Sequence, residues 1–261
     1  MGEGQGRARA YPSPDAIMNP LTPEILAGTA DILLLCDHAS NAVPPDINLG
    51  IEPALLNKHI AVDIGAAPLT VALAEKLAAP AVLATLSRLV IDLHREPDHP
   101  GLVPVMSDGF QIGGNANANR ADRIRRFHAP YHAAIAARIR TQRPIFIVAI
   151  HSFTAALETG SAPRPWEVGI LYNRDARAAA VAIGLLQAAG VLTGDNQPYS
   201  GRDLNTTLNR HAEANGIASF AIEVRNNLID SAQGVARWAD ILAPILIETR
   251  NRLAPKGRPA T

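Results

Sequence analysis

A single cysteine in 261 residues, no excess of charge of either sign and few aromatics mark this chain first by what it lacks. Cys36 cannot form an internal disulfide, and a thiolate metal cluster is excluded. It lies inside an apolar run and reads as a small buried residue rather than a nucleophile. The 24 basic and 24 acidic residues cancel, which argues against a nucleic-acid binder held by phosphate contacts but leaves room for a local basic pocket. No segment reaches the roughly 20 apolar residues of a membrane helix. The N-terminal residues offer Gly, Arg and Pro instead of the apolar core of a signal peptide. No nucleic-acid or membrane partner is therefore expected, and a cytoplasmic location follows by default. Ala, Leu and Ile dominate, as in an ordinary soluble enzyme large enough for a substantial core.

Three stretches carry the sequence. In Asp31-Ile-Leu-Leu-Leu-Cys-Asp-His-Ala-Ser-Asn41 an apolar run ends in hydrogen-bonding and metal-binding side chains. The run is too short for a typical helix and has no polar face, so it reads as a strand buried on both sides. Ile145-Phe-Ile-Val-Ala-Ile-His-Ser-Phe153 has the same form, with His151 in the place of His38. Ala218-Ser-Phe-Ala-Ile-Glu-Val-Arg225 closes on Glu223 and Arg225. In an open parallel sheet, ligands sit outside the carboxyl ends of the strands. Two imidazoles and a carboxylate at such ends are what a catalytic zinc site needs.

Further elements alternate around these strands. Residues 1–20 lack periodicity and read as a flexible arm, and residues 254–261 as a frayed tail. Between them, 21–253 reads as one domain. Helices are expected at 53–59, after Asp63 to about residue 78, at 121–140, 176–189, 205–215 and 231–252, the last bent at Pro244. Additional strands are expected at 81–86, 88–93 and 167–172. The Pro- and Gly-rich stretch 96–119 reads as a long functional or disordered loop, and 194–203 as a polar loop. This alternation predicts an α/β fold with a mostly parallel sheet covered by helices on both faces.

Catalytic zinc takes three protein ligands and keeps a position for water. His38 and His151 are the first candidates. The third could be Asp63, Asn41 or Asp37. A carboxylate binds zinc better than an amide, and Asp37 would point away from its neighbour His38 in a strand, so Asp63 is preferred. Glu223 is the candidate base. Competing readings exist: His38 as a hydrogen-bonded loop residue, Asp63 as a helix N-cap, and Glu223 as an ion-pair partner of Arg225 or Arg88. His128, Tyr131 and His132 read as packing and hydrogen-bonding residues more than as a metal pair. His211 reads as a surface or core residue, and His59 and His99 carry no signal.

The ordered set Cys36-Asp-His-Ala-Ser-Asn41, Val62-Asp-Ile-Gly-Ala66, Ser87-Arg-Leu-Val-Ile-Asp-Leu-His-Arg95, Pro130-Tyr-His132, Ile150-His-Ser152 and Ile222-Glu-Val-Arg225 resembles the N-formylglutamate amidohydrolase family. The resemblance implies a three-layer α/β/α domain with a mixed, mostly parallel sheet, of the phosphorylase/hydrolase-like kind seen in zinc carboxypeptidases and aspartoacylases. It implies a zinc-dependent (or other divalent-metal) hydrolase acting on a small anionic N-acyl amino acid. The reaction would release formate from N-formyl-L-glutamate in histidine breakdown. It supports His38, Asp63 and His151 at the metal, and Glu223 and Arg88 in catalysis. Arg95, Arg202, Arg225 and Asn41 are the substrate-binding candidates, the arginines because guanidinium grips carboxylates in a bidentate way. Asp92 could hold Arg88 or Arg95 in place. His94 departs from the usual Asn of Asp-Leu-Asn-Arg, as an extra pocket residue or a sign of a changed substrate. An N-acyl amino acid deacylase, a small-peptide carboxypeptidase and a non-catalytic carboxylate-binding protein are the alternatives. The oligomeric state stays open, a homo-oligomer included.

Overall fold

The computed structural model describes residues 22–160 and 162–254. The expected arm at 1–20 and the tail from 255 lie outside the described residues. In chain order the strands are β1 Glu24–Leu26, β2 Ile32–Cys36, β3 Ala81–Leu83, β4 Met106–Ser107, β5 Phe110–Gln111, β6 Phe146–Phe153, β7 Val168–Leu171, β8 Thr193–Asp195 and β9 Ala218–Arg225. The helices are α1 Ala66–Leu77, α2 Arg120–Arg123, α3 Ala129–Gln142, α4 Arg177–Ala188, α5 Thr206–His211 and α6 Ala232–Leu253.

Seven strands form one sheet in the order β1-β3-β2-β6-β9-β7-β8. The central pairs β3/β2, β2/β6 and β6/β9 are parallel, whereas β1 and β7 each run antiparallel to a neighbour. The sheet is thus mixed and mostly parallel. Side chains alternate between its faces, as the strand period of two requires. Leu34, Val148 and Phe220 face one core with α1, α4 and α6, which include Leu69, Ala182 and Trp238. Leu33, Leu35, Ile147, Ala149 and Ala221 face the other core with Phe127, Tyr131 and Leu208. Helices cover both faces, giving the three-layer α/β/α arrangement. Each fully buried Leu or Phe contributes about 1.5–3 kcal/mol relative to exposure.

Parity in the central strands decides where the chemistry falls. His151 follows Ile147 and Ala149 at even spacing, and Glu223 follows Ala221. Both therefore lie on the second face, and they are register partners across β6 and β9. Asp37 extends the parity of Leu33 and Leu35 just past β2.

α1 begins after a tight crossing. Its N-cap, Gly65, has φ +80°, and a Cβ there would sit 2.2 Å from the carbonyl oxygen of Ile229. Glycine is required on both grounds, and the turn it allows aims Asp63 inward.

Several elements differ from expectation. Residues 88–93 form buried turns rather than a strand: Leu89, Val90 and Ile91 are fully buried. Their segment is held by Val90 N–H to Ser87 O and Asp92 N–H to Leu102 O. The apolar run reflects burial alone. The 205–215 helix breaks into α5 and a 3₁₀ turn at Glu213–Asn215, capped by Gly216 at φ +68°. The loop 96–119 contains the hairpin β4–β5 and two 3₁₀ turns. The 121–140 helix is continuous from α2 to α3 only through a π-helical turn at Ile124–His128.

Candidate active site

The carboxyl ends of β2, β6 and β9 converge on a cavity of about 170 Å³. A larger apolar groove of about 1280 Å³ runs beside α1 and the start of α6, but no histidine lines it. The chemistry therefore lies in the smaller space.

At the base of the cavity Asp63 Oδ2 lies 3.3 Å from His38 Nδ1 and 2.9 Å from His151 Nδ1. All three residues are buried, and their donor atoms are close enough to share a cation. Asp63 is not an N-cap: Gly65 holds that position, and the Asp63 carboxylate meets the two rings and Arg88. Of the remaining ring nitrogens, that of His38 is hydrogen-bonded, whereas that of His151 is buried near a carboxylate without a hydrogen bond. His38 Nε2 lies 2.8 Å from Asp92 Oδ1, and His151 Nε2 lies 3.3 Å from Asp37 Oδ2. Asp92 behind His38 fixes the proton on Nε2 and leaves the Nδ1 lone pair for a metal, and the Asp37 charge beside His151 Nε2 favours the same tautomer there without a hydrogen bond. A second grouping, Asp37 with His94 and His151, also has suitable spacing. Asp37, however, already accepts hydrogen bonds from Tyr131 Oη at 2.9 Å, Thr207 Oγ1 at 3.1 Å and His94 Nδ1 at 3.1 Å. It is better employed as an orienting group than as a ligand.

The protonation equilibria agree with this division. Burial and Arg88 oppose charge on His38, yet Asp63 and Asp92 raise its pKa above the ordinary value. Burial likewise opposes charge on His151, but Asp37 and Asp63 hold its pKa well above normal. Burial disfavours the Asp63 carboxylate, and the two imidazoles nonetheless keep its pKa well below the usual range. The buried Asp63 anion thus favours a proton on each imidazole. A divalent cation replacing those protons would meet two imidazoles and a carboxylate, a set suited to catalytic zinc. The residues present fit such an ion.

Glu223 stands beside this centre. Burial pushes its pKa up to about 7, with Asp63 adding to the effect and the His151 charge opposing it. Its Oε2 is buried without a hydrogen-bond partner. A carboxylate with a raised pKa and a free oxygen beside a metal-binding cluster can carry a proton. Arg88 bridges the centre, donating from one terminal nitrogen to Asp63 Oδ1 at 3.2 Å and from the other to Asp92 Oδ2 at 2.9 Å. Arg95 lies 3.7 Å from Asp92 and also lines the cavity. Asp92 is thus the partner of both arginines and of His38.

Other expected contacts lie away from the cavity wall. Asn41 donates to Asn57, with its amide turned along the surface. Arg202 is exposed on a turn where Gly201 packs against the Tyr172 backbone. The Arg225 guanidinium is engaged by Asn227 and by the carbonyls of Pro165 and Trp166. Conversely, the lining includes His59 and Tyr199, which sequence reasoning passed over. His59 is held by Asp108 at 3.0 Å, from the turn of the β4–β5 hairpin. Tyr199 accepts from Arg164 at 2.9 Å. His94 lines the cavity as well.

The chain matches the sequence profile of N-formylglutamate amidohydrolase over residues 30–229, a span that holds every histidine and carboxylate of the centre. The chain belongs to the N-formylglutamate amidohydrolase family. Among solved structures it is similar to gene product Atu2144 from Agrobacterium tumefaciens. That pair is 31% identical, with TM-score 0.84, covering 88% of this chain and 95% of the other. It also resembles N-formylglutamate amidohydrolase from Ralstonia eutropha JMP134, at 17% identity and TM-score 0.63, covering 89% and 98% respectively. The second likeness speaks to the amidohydrolase fold alone. No curated protein matches. No helix among the described residues is long and apolar enough to cross a membrane.

Proposed function

We propose that this chain is a zinc-dependent amidohydrolase that releases formate from N-formyl-L-glutamate or a closely related small N-acyl acidic amino acid. The observation carrying the reading is the convergence of His38 Nδ1, His151 Nδ1 and Asp63 Oδ2 beside the unpartnered Glu223 oxygen. Family membership supplies the reaction class.

His38, His151 and Asp63 would hold the metal, with Asp92 and Asp37 orienting the rings. When bound, zinc supplies a Lewis acid for the amide carbonyl and acidifies a water molecule. Glu223 takes a proton from the attacking water and delivers it to the nitrogen as the C–N bond breaks. One water is thereby consumed for each formate and free amine produced. Arg88 and Arg95 bring positive charge to the cavity wall, suited to a substrate carboxylate or the developing oxyanion. A cavity of about 170 Å³ falls below the roughly 300–1,000 Å³ of typical ligand pockets. That favours a single small amino acid over a peptide.

Release of formate from N-formyl-L-glutamate, measured with zinc-loaded and chelator-stripped protein, tests the reading. Glu223→Gln should retain substrate binding and lose turnover. Full activity of verified metal-free protein would defeat the zinc assignment. Absence of turnover on formyl, acetyl and peptidyl glutamates alike would favour a non-catalytic carboxylate-binding protein.

A further inference from the structure

We propose that His94 is a rigid wall that restricts the acyl group to a single carbon, an inference that rests on the amidohydrolase reading above. The His94 ring stands beside both candidate ligand rings, with centroids 5.1 Å from His151 and 6.0 Å from His38. It therefore borders the space in which the scissile carbonyl must sit.

The ring is pinned from several sides. Its Nδ1 contacts Asp37 Oδ2 at 3.1 Å and Thr207 Oγ1 at 3.0 Å. Its backbone N–H donates to Asp92 Oδ1 at 3.0 Å. The chain on either side is clamped by α3 and the turn before it. His132 Nε2 reaches Leu93 O at 3.1 Å, and His128 Nε2 reaches Arg95 O at 3.0 Å. His211 supports the clamp from α5, its Nε2 lying 2.8 Å from His132 Nδ1. A ring held in this way cannot swing aside to admit extra substrate atoms.

Burial gives the cavity a direction. The side chains of Arg88 and Arg95 are 26% and 23% exposed, so they stand toward the mouth. His94 is 10% exposed, and Asp37 behind it is fully buried. The dicarboxylate part of the substrate suits the cationic, open side. The acyl group then falls at the closed side, against His94. Formyl places only hydrogen there, whereas acetyl places a methyl group.

The test compares N-formyl-, N-acetyl- and N-propionyl-L-glutamate with zinc-loaded protein. His94→Asn and His94→Ser shorten the wall; His94→Gln keeps roughly its reach and a donor toward Asp37. The formyl-over-acetyl ratio of kcat/KM should fall at least about tenfold in the two shortened variants, within the range one carbon commands in a fitted pocket. It should change little in His94→Gln. A second readout is calorimetric binding of N-formyl- and N-acetyl-L-glutamate to zinc-loaded Glu223→Gln, with and without His94→Asn. The shortened wall should narrow the affinity gap by a similar factor. Parallel losses on all substrates, with that gap unchanged, would overturn the role of His94 and leave it a structural residue. If the parent protein turns over none of these substrates and Glu223→Gln binds none, the amidohydrolase reading itself fails.

Discussion

Replacing Asp37 with Asn should weaken zinc binding although Asp37 is outside the proposed ligand set. Its carboxylate accepts from three donors, Tyr131, Thr207 and His94, and its charge lies 3.3 Å from His151 Nε2, which makes no hydrogen bond. Asn offers one oxygen and one NH2 group. The oxygen can keep Tyr131 and Thr207, which share Asp37 Oδ1. The NH2 group then faces His94 Nδ1 and His151 Nε2, where the anion was. His151 can accommodate it only by presenting a lone pair at Nε2, and a neutral ring then carries its proton on Nδ1. That is the nitrogen needed by the metal. Loss of such an orienting partner typically costs 10–100-fold in metal affinity, or about 1.4–2.7 kcal/mol. Competition of the purified variant against a zinc-binding dye at neutral pH measures this directly. Circular dichroism of the apo protein checks that the fold persists. Zinc affinity equal to the parent's would refute the proposed role of Asp37 in setting the His151 tautomer.

Glu223 must be ionised to accept the water proton. With its pKa pushed up to about 7 by burial, and a bound cation drawing that value down, kcat/KM should show an acid limb at or below about pH 7; activity that rises on acidification would contradict the assignment. Burial and neighbouring imidazole charges lower His132 to about 3, while burial and Arg210 lower His211 to about 4, from 6.5. The unfolded chain therefore binds more protons between these values and 6.5, and stability should fall as pH drops through that window. Urea melts of His132→Asn should show a shallower decline than the parent, and an identical slope would count against a buried neutral His132. Gly65→Ala combines an unfavourable positive φ with a Cβ 2.2 Å from Ile229 O. It should cost at least about 2 kcal/mol in urea denaturation, whereas a neutral effect would show that this crossing is loose.

The central strands were legible because burial on both faces writes a continuous apolar run. β2, β6 and β9 therefore stand close to where they were expected, with His38, His151 and Glu223 at their ends. The same signal misled at 88–93, where Leu89, Val90 and Ile91 are buried by packing without strand pairing. Three-residue strands such as β1 and β8 are too short to show a period. The β4–β5 hairpin did carry a usable mark: Asp108-Gly109, both at positive φ, is a common two-residue hairpin turn. Asp37 was judged by its direction relative to His38. That test says nothing about His151, whose far nitrogen it meets from another strand. The positions of Arg202, Arg225 and Asn41 were equally invisible, because a guanidinium or amide near a strand end has local partners that only the folded loops supply. His59 reached the cavity through Asp108, which is 49 residues away.

Anomalous scattering at the zinc edge, from crystals grown with the metal, tests the central claim most directly. One strong peak should lie among His38 Nδ1, His151 Nδ1 and the Asp63 carboxylate, with Asp37 and Asp92 behind the rings. A peak held instead by Asp37 and His94, or no peak with zinc in excess, would contradict the account.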